Sequence, residues 1–310
     1  MGNQFTNLAE VKDEIARAEY AISLRKYDLA LQLMQEALSN HPQNPMALYT
    51  LGRVYLIQHR FSEAQQMFLE TLRQNPEFSY AHMLYGLTLQ NLKQYAPAEY
   101  ELLAAIQLQP SSASAHRHYS NFLLTAKKDI ARARQYCLKS LELDPEEAAT
   151  YALLARIFVA ENDLQQANEA YLQALRRDPD SDIIHNSYGA YLLNERRDPH
   201  AAFEHFRIAL IRNPSEETYQ RNFFLALKVK NRLYWLFWQC ASLRRKTRLG
   251  YTAMLLAAVV LIRLFLSVAP INSPLYTLAE IFVILYVLFF LYLLAVNPLF
   301  NLCIKRGWIK

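Results

Sequence analysis

Residues 64–76 read AQQMFLETLRQNP, and the arrangement of this stretch recurs six times along the 310-residue chain. A small residue is followed by a large side chain four positions later, by a second small residue three positions after that, and by a proline five positions further on. The prolines stand 34 or 35 residues apart, at Pro42, Pro76, Pro110, Pro145, Pro179 and Pro214. A fixed period near 34 residues is typical of helical hairpins that stack into a solenoid. We therefore expect an all-α fold that works through a surface rather than through a pocket of catalytic groups.

The recurring arrangement describes the second helix of each hairpin. Residues three and four positions apart share one helical face, so small and large side chains alternate along a single packing stripe. Proline after the last turn cannot continue the helix, and the chain must reverse there. The first helix has its own pattern, as in Leu51-Gly52 followed by Tyr55. Glycine is expected at this position despite its low helix propensity, because a neighbouring backbone lies too close for a larger side chain.

Over about residues 11–214 the pattern resembles the tetratricopeptide repeat (TPR) family. The resemblance implies a right-handed superhelical solenoid of about six helix pairs, completed by a capping helix. After an N-terminal tail at 1–10, the repeats are predicted at 11–44, 45–78, 79–112, 113–147, 148–181 and 182–216. The fourth and sixth repeats carry one extra residue between their helices, around 125–129 and 194–199.

The C-terminal third of the chain has a different composition. Residues 215–248 are predicted to form the capping helix and an aromatic, basic juxtamembrane segment. Two apolar runs follow at 249–269 and 275–296, joined by a loop at 270–274 and followed by a basic tail at 297–310. Each run has about the 20 residues that cross a hydrocarbon core of roughly 30 Å. The sequence therefore predicts a hairpin of two transmembrane helices, with a buried soluble hairpin as the alternative.

Charge is distributed unevenly between the two parts. Residues 1–215 hold 21 basic and 25 acidic residues, whereas residues 216–310 hold 12 and 3. Basic residues flank both outer ends of the apolar runs, which predicts that the repeats and the C-terminus are cytoplasmic. Short turns and the lack of processing signals favour a bacterial inner membrane. The net charge of +5 thus belongs to a segment that faces anionic lipids, and no nucleic-acid partner is expected.

Arg263 and Glu280 are the only Asp, Glu, Lys or Arg residues within the apolar runs. Arg263 lies six residues before Ala269 and Glu280 lies six residues after Pro274, so an antiparallel hairpin places them at matching depths, roughly 9 Å from the loop end. Opposite charges at equal depth are expected to form an intramembrane ion pair, which avoids the cost of either charge alone in lipid. The alternatives are an arginine that reaches the interface beside a protonated Glu280, and a role in proton transfer or partner binding.

In TPR proteins the first helices line a groove that binds partner segments. Carried over by position, the resemblance implies a partner-binding groove lined by Tyr49, Arg53, Tyr80, Met83, Gln90, Arg117, Asn121, Arg156 and Asn186. This mixture suits an extended or helical peptide that carries acidic groups. Arg117 and Asn121 resemble the first two members of the family's carboxylate clamp, which the next repeats do not complete. The alternative for each residue is a solvated polar surface.

Chemistry-bearing motifs are sparse. The sequence shows no nucleophile motif, no phosphate-binding glycine loop and no metal-ligand spacing, so neither an enzyme nor a cofactor is expected. His82, His116 and His185 recur at the repeat period and are predicted to pack between helices. Gly2 and Cys240 are candidate lipidation sites.

Together these features predict a membrane-anchored adaptor that holds a protein partner in its groove and recruits or assembles it at the bilayer. Its hairpin is expected to contact lipid and, in some complexes, another integral membrane protein. The alternative from a different class is an accessory subunit of a transporter, secretion or synthase complex that acts through the hairpin.

Overall fold

The computed structural model describes residues 2–231, residue 234 and scattered residues between 281 and 302. The described part is all-α, with thirteen α-helices and one π-helical turn. The chain divides into two compact units, Met1–Pro179 and Asp180–Lys310, here called the N-terminal and C-terminal units. The prediction of an all-α repeat fold is confirmed for the described residues.

The N-terminal unit consists of five helical hairpins. Their helices are α1 Gly2–Ser23, α2 Tyr27–Asn40, α3 Pro45–Ile57, α4 Phe61–Gln74, α5 Ser79–Asn91, α6 Tyr95–Leu108, α7 Ala113–Phe122, α8 Ile130–Leu143, α9 Ala148–Ala160 and α10 Leu164–Arg177. The second helix of each hairpin contacts the first helix of the next, as α2 contacts α3 and α4 contacts α5. Helix α1 begins at Gly2, so residues 2–10, predicted as an N-terminal tail, are helical.

The C-terminal unit contributes one more hairpin, α11 Asp182–Asn194 with α12 Pro199–Arg212, and the helix α13 Glu217–Val229. Helix α13 packs against both α11 and α12. It begins with a carboxylate cap, because the Glu216 side chain accepts a hydrogen bond from the backbone N–H of Thr218. The segment that follows Pro214 therefore covers the last hairpin with a helix.

The recurring stripe of the second helices forms the core. The first small residue of every repeat is fully buried: Ala30, Ala64, Ala98, Ala133, Ala167 and Ala202. The large residues that follow are at most 2% exposed: Met34, Phe68, Leu102, Cys137, Tyr171 and Phe206. A Cβ added at Gly52 would lie 2.8 Å from the Phe68 ring, which shows how closely the two helices of a hairpin approach. The periodicity thus reports a real packing stripe.

Four of the turns between the two helices of a hairpin have the same backbone conformation. Arg25, His59, Lys93 and Asn162 adopt the left-handed conformation, with φ between 58° and 63°. In each case the N–H of the following residue donates to a carbonyl five residues earlier, as Arg60 does to Tyr55 at 2.9 Å. This is a Schellman ending, in which the left-handed residue satisfies the last helical carbonyls.

The fourth and sixth repeats absorb their extra residue by widening this turn. Helix α7 continues into a π-helical turn at Leu123–Lys127. The closing hydrogen bond then spans six residues rather than five, from the Asp129 N–H to the Leu123 carbonyl at 3.0 Å. The sixth repeat does the same from Asp198 to Leu192 at 2.9 Å. The insertion stays in the turn and leaves the packing stripe intact.

The predicted membrane hairpin falls mostly outside the described residues. Residues 249–269 and the loop 270–274 lie there entirely, as do Arg263, Glu280 and Cys240. In the parts of the chain that the structure describes, no helix is long and apolar enough to cross a membrane.

Candidate partner-binding groove

The first helices of successive hairpins lie side by side in the N-terminal unit. Helix α1 contacts α3, α3 contacts α5, α5 contacts α7 and α7 contacts α9. Residues at the same position of successive first helices therefore approach each other across one repeat. Eight of the nine residues predicted to face the groove lie on α3, α5, α7 and α9, and Asn186 lies on α11 of the C-terminal unit.

An aromatic and apolar cluster occupies this face on α3 and α5. Tyr49 packs against Phe78, with ring centroids 4.8 Å apart, and the Arg53 guanidinium lies 5.6 Å from the Tyr49 ring centroid. Burial raises the pKa of the Tyr49 hydroxyl above its usual value, and Arg53 opposes this effect. Tyr80 is 44% exposed, whereas Met83 is 6% exposed and belongs to the core. Tyr80 is therefore accessible to a ligand and Met83 is not.

Two of the three predicted groove arginines form ion pairs with carboxylates. Arg53 bonds to Glu19 of the preceding hairpin, and Thr50 donates to the same carboxylate at 3.4 Å. Arg117 donates to the Glu147 carboxylate at 2.9 Å. The second oxygen of Glu147 accepts from the Thr150 hydroxyl at 2.7 Å. The positive charge of Arg53 and Arg117 is thus balanced within the protein.

The remaining polar groove residues form hydrogen bonds with other side chains of the protein. Arg156 donates from Nη1 to the Asn121 amide oxygen at 2.9 Å. Gln90 donates from Nε2 to the Thr125 hydroxyl at 2.8 Å, while its buried Oε1 has no hydrogen-bond partner among the described residues. In the C-terminal unit, Asn186 accepts from the Asn222 amide at 2.8 Å.

These bonds between hairpins are the feature that sequence reasoning missed. Glu19 with Arg53, and Asn121 with Arg156, occupy one repeat position in successive hairpins, 34 and 35 residues apart. The repeat period itself carried the signal, because equal positions of adjacent first helices face each other. The predicted clamp residues Arg117 and Asn121 lie on one helix, yet each is engaged by a different partner.

His118 is a titratable residue of the first helix α7 that the prediction did not name. It lies on α7 next to Arg117 and is half-buried. Burial lowers the pKa of its imidazole to about 3, and the nearby Arg117 charge adds to this effect. His118 is therefore neutral at physiological pH and able both to donate and to accept hydrogen bonds.

The periodic histidines lie at helix contacts, as predicted. His82 bonds through Nδ1 to Glu101 at 2.6 Å and through Nε2 to the Pro76 carbonyl at 2.9 Å. Both acceptors need an N–H, so the ring is the imidazolium. Burial alone would lower the pKa of His82, but bonds to Glu101 and the Pro76 carbonyl raise it above the usual value.

His185 occupies the equivalent position in the C-terminal unit. Its Nδ1 lies 2.8 Å from the Nδ1 of His205, so one ring donates and the other accepts. Burial and the His185 ring lower the pKa of His205 to about 4. Across the described residues, no three metal-ligating side chains form a cluster that could hold an ion.

Comparison with known proteins agrees with this architecture. Two family models, both described as tetratricopeptide repeat, match residues 21–88 and 153–217. The human mitochondrial import receptor subunit TOM70 is 22% identical over 149 residues, which cover 48% of this chain and 24% of TOM70. The type IV pilus assembly protein PilF of Pseudomonas aeruginosa is 37% identical over 59 residues, or 19% of this chain and 23% of PilF. The chain thus matches about a quarter of the length of these relatives.

Solved structures extend the likeness to the fold. A tetratricopeptide repeat protein from Parabacteroides merdae has a TM-score of 0.61 at 16% identity, over 70% of this chain and 84% of its own. Pseudomonas aeruginosa PilF has a TM-score of 0.51 at 19% identity, over 70% and 97%. Likeness at this identity concerns the fold alone. Residues 21–88 and 153–217 thus match tetratricopeptide repeat models, and the period, the packing stripe and the shared fold agree with that match.

Proposed function

We propose that this protein is a scaffold that binds a peptide segment of a protein partner along the first-helix face of its N-terminal unit, and that its C-terminal apolar runs hold the complex at a membrane. TPR folds generally serve as non-catalytic interaction scaffolds, and they bind protein partners in their groove. The observation that carries the proposal is the accessible Tyr80 on a face where successive first helices contact one another.

The arrangement of charge favours a particular peptide. Arg156 donates to the neutral amide of Asn121, so this partner does not balance its charge. Arg53 and Arg117 already bind carboxylates, and an acidic ligand would have to displace them. The best fit is therefore a peptide with one acidic side chain near Arg156 and apolar side chains near Tyr49 and Tyr80. This is a less acidic ligand than the arginine content of the groove suggests.

A crosslinking pull-down from native membranes tests the groove. We expect Tyr80→Glu and Arg156→Glu to lose the partners that the wild-type protein captures, because each change removes a contact of the peptide. Arg73→Glu is the matched control, since Arg73 is exposed on the second helix α4. Circular dichroism checks that all variants fold. Unchanged capture by both groove variants would exclude this face as the binding site.

Membrane attachment is the second part of the proposal. It is supported by the length and composition of residues 249–269 and 275–296, and by the basic residues at their outer ends. Ile281, Ile284, Leu285 and Leu288 are helical and between 49% and 58% exposed, a spacing that places apolar side chains on one helical face. Extraction with alkaline carbonate should leave the protein in the membrane pellet, and release into the supernatant would refute the anchor.

The role of the hairpin separates a tether from an accessory subunit. Residues 249–296 can be replaced by an unrelated hairpin of two transmembrane helices of equal length. A tether tolerates this exchange, and partner capture should persist. Loss of capture after the exchange would favour a subunit that recognises its complex through the membrane segment, with Arg263 and Glu280 as the first residues to test.

A further inference from the structure

Helix α1 exposes a face that is covered in every later hairpin of the N-terminal unit. Tyr20 lies 34 residues before Val54 and is 68% exposed. Val54 and its equivalents Thr88, Phe122 and Ile157 are each 0% exposed. Asp13 is likewise exposed, whereas its equivalent Ala47 is fully buried. The positions that the other first helices bury against a preceding helix are therefore open on α1.

This open face contains a cavity. It has a volume of about 400 Å³ and lies between α1 and α2. Its apolar lining includes Tyr20, Leu24, Leu29 and Leu33. Tyr20, Leu24 and Leu29 are between 45% and 68% exposed and lie together around the cavity. Exposed apolar surface around a concavity is typical of a binding site.

The rim of the cavity is basic. Arg17 on α1 and Lys26 at the start of α2 both line it, and both are exposed. Among the described residues that line the cavity, none is acidic. An occupant that fits this surface needs apolar side chains on one side and carboxylates beside them.

The later hairpins indicate which secondary structure fits this face. The equivalent face of α3 is packed by α2, that of α5 by α4, that of α7 by α6 and that of α9 by α8. In every case the covering element is an α-helix with a small–large–small stripe. We propose that the open face of α1 and α2 binds an acidic amphipathic helix of a partner protein, which packs there as the second helix of a preceding repeat would.

This site is distinct from the proposed groove and does not rest on it. The groove residues lie on the first helices from α3 onward, and the cavity residues lie on α1 and α2. A partner could therefore contact the protein at two places, and two contacts on one chain raise the effective affinity of the complex.

A suitable probe occurs in the chain itself. Helix α6, YAPAEYELLAAIQL, already packs against a first helix and carries two glutamates and no basic residue. A fluorescent peptide of this sequence can be titrated with the full-length protein, and binding followed by anisotropy. The matched peptide replaces Glu99 and Glu101 by lysine. We expect the acidic peptide to bind at least tenfold more tightly, and equal affinities would overturn the charge argument.

Variants of the protein locate the site. Tyr20→Lys should weaken binding of the acidic peptide at least tenfold, because it places a charge in the apolar floor. Tyr100→Lys is the control, since Tyr100 is 70% exposed on α6, away from the cavity. The double variant Arg17→Glu/Lys26→Glu should reverse the preference towards the lysine peptide. Unaltered binding by Tyr20→Lys would overturn the proposal.

Two further outcomes are informative. Self-association of the wild-type protein that Tyr20→Lys abolishes, measured by sedimentation without peptide, would identify a second copy as the occupant and overturn the partner-helix proposal. The groove variants Tyr80→Glu and Arg156→Glu should bind the peptide like the wild-type protein. Failure of the groove proposal and failure of this one are thereby distinguishable.

Discussion

Gly52 shows how much of the fold depends on single close contacts. A methyl group there would lie 2.8 Å from a carbon of Phe68, which is fully buried. We expect Gly52→Ala to lower the free energy of unfolding by about 1–2 kcal/mol, since overpacking outweighs the gain in helix propensity. Chemical denaturation measures the change.

A compensating variant provides the control for this prediction. Gly52→Ala combined with Phe68→Leu should cost less than the sum of the two single changes, because the smaller side chain makes room for the methyl group. The fourth repeat has a comparable solution, with Ser120 where the second has Gly52 and the smaller Cys137 where it has Phe68. Additive costs would show that the two residues do not share this space.

The pair His185 and His205 makes stability depend on pH. The pKa of His205 is about 4 in the fold against an ordinary 6.5, so the unfolded chain binds more protons between these values. Stability should fall as the pH drops from 6.5 towards 4, by about 2–4 kcal/mol in total. The groups that face this ring are His185, the Tyr188 ring at 4.7 Å and the neighbouring Glu204. Denaturation at a series of pH values should show that His205→Gln flattens this acid limb.

His82 has the opposite sign and serves as the internal comparison. Its raised pKa means that the fold binds the proton more tightly than the unfolded chain. Its contribution is complete below the ordinary pKa and is lost as the pH rises through the folded value. His82→Gln should therefore lower stability at pH 6 more than at pH 9, and an effect independent of pH would contradict the imidazolium assignment.

At the level of the helical hairpin, the left-handed turn residues are strained because their Cβ atoms crowd the backbone. Lys93 has φ of 62°, a conformation that costs residues other than glycine about 1 kcal/mol. Lys93→Gly should raise the free energy of unfolding by about 0.5–1 kcal/mol, after allowance for the greater freedom of glycine in the unfolded chain. Gln66→Gly, in the exposed middle of α4, should instead lower it by about 1 kcal/mol. A loss of stability in both variants would refute the argument.

The hairpins were also the level at which sequence reasoning worked best. The regular spacing of the prolines and the small–large–small packing stripe predicted the helices and the core. Both patterns follow from local helix geometry, which is the same in each repeat. The extra residues near Thr125 and Arg196 were visible as a change of spacing. The ion pairs of Arg53 and Arg117 were not predicted. The sequence pattern of a charged residue on a helical face is the same whether its side chain contacts solvent, a ligand or the neighbouring hairpin. Predicting contacts between repeats requires knowledge of how two helices are placed relative to each other, which the sequence pattern does not give.

On the scale of the whole molecule, contacts between neighbouring hairpins should make unfolding a graded process. Each hairpin of the N-terminal unit packs on the next, so a local defect is expected to spread with decreasing effect. Phe68→Ala removes a fully buried ring and should cost about 3–5 kcal/mol. Hydrogen exchange should then accelerate most in α3 and α4 and least in α9 and α10. Tyr171→Ala should produce the reverse gradient, and uniform acceleration in either variant would show a single cooperative unit.

The widened turns of the fourth and sixth repeats have a practical consequence. At Lys128 and Arg197 the chain already accommodates one residue more than the shorter repeats, while the buried stripe on either side is unchanged. Inserted sequence is tolerated most readily in turns that already vary in length. An epitope or a small fluorescent label inserted at these two turns should leave the hairpins intact, so the protein can be followed in cells without altering either of its proposed binding faces.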